Sequence, residues 1–359
     1  MHPNKSVFLL FLFSIRYFLC LSQSMVEMAP QNWESYGGAK TSFEHFDGAQ
    51  TVRLEGKIFA KEILLDQGTI EVDVYSNSKR SFAGIVFRKA GHHMEDIYLR
   101  MHKSRQPDAL QYTPVFNGES SWQLYHEYQA NVPFNQEGWN KLKVIFKESV
   151  ALVYVNDVMV LKVEELRTDN HLGAIGLFSL FENRFAHFRY SPLTVEISDH
   201  SIPEPKPETD GVITQWQITE AKAFFETTSV PDNLETINYT LVKTEPSGLL
   251  TISKFLKKPS FGNFEANDEA FTICRHEWSE TKKTTKVFSF DYSDKISIFL
   301  NGNLIFSGDN AFQSKGVQFM GHLNIGANKL HLPLKKGKNV IHCIVIDKAN
   351  GWGLMGRIY

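Results

Sequence analysis

Cysteine is scarce: the chain has 3 in 359 residues, so a dense disulfide framework cannot be what holds it folded. One of them, Cys20, sits in the opening apolar stretch. That leaves Cys274 and Cys343 either to form a single bridge or to stay as two buried thiols in neighbouring strands. An excess of either charge is missing as well, with 38 Lys and Arg against 40 Asp and Glu. This balance removes the electrostatic footprint of a nucleic-acid or anionic-lipid binder and favours neutral partners. After the first two dozen residues no run is apolar enough to cross a membrane. Helical periodicity is sparse, "VEELRTDN" at 163–170 offering one turn or two. The sequence has no His-Glu-x-x-His metal helix, no Gly-x-Ser-x-Gly elbow and no glycine-rich phosphate loop, which excludes several common catalytic designs.

What the chain does hold begins with "MHPNKSVFLLFLFSIRYFLCLSQS", a Lys5-bearing start, an apolar run from Val7, and small residues Ser22 and Ser24 spaced for cleavage after Ser24. Arg16 interrupts the run, which is short for a bilayer span, and Leu19 is larger than lipoprotein processing at Cys20 prefers. The expectation is a soluble exported protein, secreted or periplasmic, with no membrane span in the mature chain. Without Lys5 and Arg16 that chain carries 36 basic and 40 acidic residues, a net charge of −4. At "SDHSIPEPKPETDG", residues 198–211, three prolines and several charges replace apolar alternation, the mark of a stiff, solvated linker. We expect a leader over 1–24, one unit over 25–192, a linker over 193–210 and a second unit over 211–359, each long enough for its own core.

Both units read as strands. In "DIYLRMHKS", Ile97, Leu99 and Met101 alternate with Tyr98, Arg100 and His102, the period of two of a half-buried strand. "NKLKVIFKESVALVYVNDVMVLKV" gives a meander with turns at Lys147-Glu148-Ser149 and Asn156-Asp157. In the second unit Phe288, Phe290 and Tyr292 share one strand face, Ile296, Ile298 and Leu300 another, and Asn301-Gly302-Asn303 marks a hairpin. From Val340 to Ile346 alternation gives way to a run that is apolar except at His342, as in a central strand covered on both sides. The fold class is therefore all-β: two antiparallel sandwiches of jelly-roll type joined by a proline-rich linker.

"GTIEVDVYS", "FAGIVFR", "ALQYTPVFNGESSWQLY", "GWNKLKVIFKESVALVYVND" and "GAIGLFS...FAHFRY" make the first unit, about 43–190, resemble concanavalin A-like, laminin-G-type sandwiches. "DYSDKISIFLNGNLIFSG", "LPLKKGKNVI" and "NGWG" make the second, about 214–359, similar to galactose-binding-like jelly rolls of bacterial exported proteins. The first resemblance implies a lectin or glucanase scaffold, the second a sugar-binding face or loop rim. Calcium is common in such sandwiches, but no dense Asp cluster here marks a site, and no cofactor is expected.

The strand "GTIEVDVYS" carries Glu71-x-Asp73, which resembles the start of the Glu-x-Asp-x-(x)-Glu run of laminarinase-type glucanases. Retaining glycosidases need two carboxyl groups about 5–5.5 Å apart, one of them a proton donor. The pattern puts the donor at Tyr75 or Ser76, and neither has a carboxyl proton to give. Moving the acid to Glu95 or Glu127 is conceivable, and plain alternation explains Glu71 and Asp73 as a solvated strand face. In "GHHMED", His92 and His93 stand beside Glu95 and Asp96, but adjacent residues point apart, as turn residues do more often than metal ligands.

Neutral sugars are held by aromatic faces and a few orienting polar groups. If Ile97, Leu99 and Met101 are core, Tyr98, Arg100 and His102 face the other way, and "SSWQLYHEYQ" adds Trp122 and Tyr125. We expect Tyr98, Arg100, His102, Trp122 and Tyr125 to line a shallow glycan groove, so that replacing Tyr98 and Arg100 by alanine removes glycan retention without moving the melting temperature. Weaker candidates are Glu71 and Asp73 and, in the second unit, Asp294, Asn301 and Trp352. Three classes stay open, in this order: an exported non-catalytic carbohydrate-binding protein with a neutral oligo- or polysaccharide as partner, a glycosidase or lyase on the same scaffold, and a protein-binding adhesive module.

Overall fold

The computed structural model describes residues 23–192, 210–225, 227–228, 234–259 and 269–359. The expected leader over 1–24 and linker over 193–210 therefore lie, apart from Gln23, Ser24 and Asp210, outside the described residues. Among the described residues no helix is long and apolar enough to cross a membrane.

The chain is an all-β sandwich protein. Strands between Ser24 and Pro192 form one hydrogen-bonded ladder of 13 strands. The 20-residue strand Gly173–Pro192 lets that ladder fold over on itself. Its first part, Ala174 to Leu180, pairs with Phe82–Ala90, and its last part, Arg184 to Pro192, pairs with Gly68–Asn77. The register shifts between Ser179 and Asn183, where Asn183 donates to Ser179 Oγ at 2.8 Å and accepts from Ser81 Oγ at 2.8 Å. One ladder thus supplies two layers, and alternating residues such as Val72, Val74, Ile85, Phe87, Ile97, Leu99, Leu177 and Phe185 fill the space between them. Each such side chain contributes about 1.5–3 kcal/mol by leaving water.

The strands from Gln215 onward make a second sandwich, a seven-stranded sheet over a four-stranded one. Gly337–Asp347 lies between Glu269–Glu280 and Lys295–Leu300. Ile341, Cys343 and Val345 enter the core between the two sheets, while Ile344 and Ile346 pack with Leu234, Phe271 and Ile273 on the other side. This is why the run Val340 to Ile346 shows no alternation. Cys274 and Cys343 are cross-strand partners, fully buried, and both are free thiols. The turns at Glu148-Ser149, Asn156-Asp157 and Asn301-Gly302 fall where the sequence marks them. Segment 164–170 departs from expectation by forming no helix. Its backbone donors go to distant acceptors instead: Leu166 N–H to Ser149 O at 2.6 Å, and Thr168 N–H to Glu95 Oε1 at 2.9 Å.

The two sandwiches meet along residues 116–128 of the first. Phe116, Leu124 and Tyr125 pack with Leu249 and Leu323 of the second. Asn117 Nδ2 donates to Ser253 O at 2.8 Å. Gln123, fully buried, bonds across the seam four ways: its N–H to Asn350 O, its Nε2 to Met320 O, its O from Leu323 N–H and its Oε1 from Ser293 Oγ. Lys258 is buried between Glu119, at 2.6 Å, and Asp347. Removing one partner of so buried a cluster leaves uncompensated charge, which costs about 3–5 kcal/mol.

Burial, reinforced by the charge of Asp347, pushes the carboxyls of Glu119 and Asp294 up to about 7. The folded chain therefore holds these two protons where the unfolded chain has released them, so their contribution to stability is full at low pH and is lost as pH rises from about 4 through about 7. Above about pH 6.5, where the histidines of the unfolded chain are neutral too, melting temperatures should fall with rising pH up to about pH 8, and Glu119→Gln should flatten the slope. A rising or flat profile for the unmodified chain contradicts this account.

Candidate functional site

The first sandwich presents an outer face on the layer of Phe82–Ala90, His93–Arg100 and Leu110–Phe116. Strand alternation sends Glu95, Ile97 and Leu99 inward, so Asp96, Tyr98 and Arg100 point out. Register places Lys57, Phe178, Gly84, Tyr98 and Gln111 in one row across five strands. Gly84 is required there, because a Cβ would lie 1.9 Å from Ile97 O. With no side chain between them, the rings of Phe178 and Tyr98 meet edge to face at 5.6 Å.

Asp96 is the deepest charge on this face, 2 % exposed. Its Oδ2 accepts from Lys57 Nζ at 2.7 Å, and its buried Oδ1 has no hydrogen-bond partner. Burial raises the carboxyl above its ordinary range, and Lys57 pulls only partly against it. Lys57 also lies over the Phe178 ring at 5.0 Å. Arg100 donates to Gln111 Oε1 and, at 2.7 Å, to Asp108 O. Its guanidinium lies 5.6–5.9 Å from the rings of Tyr98, Phe82 and Trp122. His102 meets Phe82 at 5.6 Å, and burial lowers its imidazole. Phe82, His102, Trp122 and Phe178 are half-buried and form the rim.

Four of the five expected groove residues, Tyr98, Arg100, His102 and Trp122, are thus brought together around Phe82 and Arg100. Tyr98 and Arg100 nevertheless lie under that rim, 5 % and 3 % exposed; they are not an open strand face, because the rings flanking Gly84 close over them. Tyr125 goes elsewhere. It is fully buried in the seam, its hydroxyl on Glu245 and, at 2.7 Å, on Thr251 Oγ1, with Arg167 bridging to Glu245 at 3.1 Å. Its place in a glycan groove is therefore corrected: the short turn His126–Tyr128 rotates it toward the second sandwich.

Glu71 and Asp73 lie on the other layer, each against a cation or imidazole: Arg189 at 3.9 Å from Glu71, and His187 Nδ1 at 2.8 Å from Asp73. Tyr75 is edge-on to Phe46 and Trp139, and Ser76 is buried. Glu95 is fully buried, its oxygens taken by Tyr112 Oη at 2.8 Å and Thr168 Oγ1 at 2.6 Å; it supplies no acid to Glu71. Glu127 is exposed in the seam turn. His92 bonds to Tyr36 Oη at 2.7 Å, and among the described residues no group of three or more His, Cys, Asp or Glu could hold a metal ion.

Asp294, Asn301 and Trp352 do not form a site either. Asp294 accepts from Lys348 N–H at 3.0 Å, Asn301 accepts from Val340 N–H at 3.1 Å in its hairpin, and Trp352 is fully buried with Nε1 on Val345 O. Lys57, Phe178 and Gln111 do not figure in the sequence-based expectations, and Asp96 figures there only beside His92, His93 and Glu95 as a turn residue. The alternation that selects Tyr98 and Arg100 also selects Asp96, whereas Lys57 and Phe178 reach the face only through cross-strand register.

Residues 28–190 match the family model of the 3-keto-alpha-glucoside-1,2-lyase-like domain. No curated protein matches the chain. Solved structures similar to it include the carbohydrate binding module CBM66 from Bacillus subtilis, 13% identical with 43% of this chain and 92% of that one covered at a TM-score of 0.31. Another is a prokaryotic beta-1,3-1,4-glucanase (lichenase) derived from a mouse hindgut metagenome, at 12%, 48%, 100% and 0.35. A third is the Caenorhabditis elegans galectin LEC-6, at 13%, 45%, 98% and 0.27. Likenesses this distant carry no argument about activity. With the family match, the first sandwich is a carbohydrate-related β-sandwich domain.

Burial reverses the earlier expectation for alanine at Arg100. Removing its hydrogen bonds to Gln111 and Asp108 in a buried setting should cost about 2–4 kcal/mol. Urea unfolding of Arg100→Ala checks this, and an unchanged midpoint would show that the guanidinium is not held as described.

Proposed function

We propose that the first sandwich acts on a sugar through the outer face centred on Asp96 and Lys57, and that the reaction is a 1,2-elimination from a glucoside carrying a ketone at C3. The observation that carries the reading is Asp96, a buried carboxylate with one oxygen on Lys57, the other without a partner, and aromatic rings around it. The match to a lyase-like family model supports the reaction class.

A ketone at C3 acidifies the hydrogen at C2. A base takes that proton, its electron pair becomes the C1=C2 bond, and the C1–O bond breaks with its pair on the departing oxygen, which then takes up a proton. One base and one cation near the enolate oxygen suffice for the first step. Asp96, made more basic by burial, suits the base, and Lys57 suits the cation. The paired carboxyls of a retaining glycosidase are not needed, so the missing donor beside Glu71 does not weigh against this route.

A second reading is binding without chemistry. It is favoured by the half-buried rings of Phe82, Phe178 and Trp122, which suit apolar sugar faces. The finer kinships, concanavalin A-like near 43–190 and galactose-binding-like near 214–359, the division at 193–210, and export from the cell belong to the same proposal.

Incubation with a 3-keto-α-glucosyl disaccharide should release the partner sugar and give the absorbance of a conjugated enone. Asp96→Asn should slow this by about 10²–10⁴-fold. Tight binding with no release moves the assignment to the second reading, and release that survives Asp96→Asn removes Asp96 from the chemistry.

A further inference from the structure

We infer that the ligand of this face is an oligosaccharide long enough to cross the seam, with its distal rings on Trp122, Phe312 and His322. The inference rests on the saccharide reading above and adds the class of substrate and the part played by the second sandwich.

The aromatic surface does not end at the first sandwich. The rim rings Phe178 and Phe82 both pack on the buried Tyr98, at 5.6 and 5.9 Å, and the buried Arg100 beneath them links Phe82 to Trp122. Trp122 then meets two rings of the second sandwich, Phe312 at 5.8 Å and His322 at 5.7 Å. His322 stacks on His126 of the first, centroids 4.7 Å apart and planes within 6°. Trp122, Phe312 and His322 are all half-buried, so part of each ring stays accessible. Aromatic rings with accessible surface, set one after another, suit successive sugar rings, whose C–H faces are apolar while their edges carry hydroxyls.

Polar groups for those hydroxyls are present too. His126 Nδ1 and His322 Nε2 are buried without hydrogen-bond partners, and buried polar atoms in native proteins are nearly always paired. Burial and the neighbouring His126 hold the His322 imidazole down at about 4, so it is neutral at ordinary pH and can accept a hydroxyl proton in a hydrogen bond.

The loop bearing Phe312 and His322 is fixed in place. Gln123 holds Met320 and Leu323, Asp291 accepts from Asn310 Nδ2 at 2.7 Å and from Asn324 N–H at 2.8 Å, and Lys315 Nζ donates to Asn310 Oδ1 at 2.5 Å. A distal subsite on a held loop loses little entropy on binding.

The test is calorimetric titration of the full chain with glucose oligosaccharides of one to six units in β-1,3, β-1,4 and α-1,4 series. For the unmodified protein, affinity in at least one series should rise tenfold or more from the disaccharide to the longest member. In Phe312→Ala and His322→Ala that ratio should fall to about one, with Phe312→Leu as the substitute if the alanine variant does not fold. His322→Gln, which keeps an acceptor, should restore part of the ratio. A disaccharide that binds with no gain on lengthening overturns the inference and spares the saccharide site, and so does a gain that persists in both variants. If no glucose oligosaccharide of any length binds, the inference falls, and release from the 3-keto-α-glucosyl disaccharide decides the saccharide reading separately.

Discussion

Gln123 is the fixed point of this molecule. One fully buried residue joins its N–H, its carbonyl, its amide nitrogen and its amide oxygen to four different residues of the second sandwich. A buried amide left unpaired costs about 1–3 kcal/mol, so no small slide of one sandwich over the other keeps all four bonds. The apolar contacts of Leu124 and Tyr125 with Leu249 and Leu323 add area, but such contacts are non-directional. Orientation comes from the amide.

That orientation decides what the outer face is. The row from Lys57 to Gln111 is set by register within the first ladder, and its neighbour Trp122 precedes Gln123 in sequence. Gln111 Nε2 donates to Trp122 O at 2.8 Å, tying the site to the docking segment. The polar end, Asp96 with Lys57, and the aromatic end, Trp122 with Phe312 and His322, are therefore joined through the buried Tyr98, Arg100 and Gln111. The strand of Glu71 and Asp73 stands apart on the other layer, with Asp73 held by His187 and Glu71 near Arg189.

The fold was legible in the sequence because strand periodicity is local. Val72 and Val74 inward, the hairpin at Asn301-Gly302 and the doubly covered run from Val340 to Ile346 all follow from neighbours in the chain. The site was legible only in part. Alternation gives the side on which Tyr98 and Arg100 lie, but not that Phe82 and Phe178 cover them, since that depends on strands 78 residues or more from Arg100 or on the close approach that Gly84 permits. Tyr125 shows the same limit. A buried tyrosine bonded to Glu245 and a groove tyrosine look alike in sequence, because the difference lies in a contact across 120 residues. Asp96 and Lys57 are partners 39 residues apart and could be paired only once strand order was known.

The stretch 310–327 between the strands Asn303–Asp309 and Asn328–Leu334 carries no ladder hydrogen bonds of its own. Its tip can change in length or residue type while both cores keep their composition. A change at this tip therefore alters the surroundings of Phe312 and His322 and leaves the Asp96 row, set by register within the first ladder, in place.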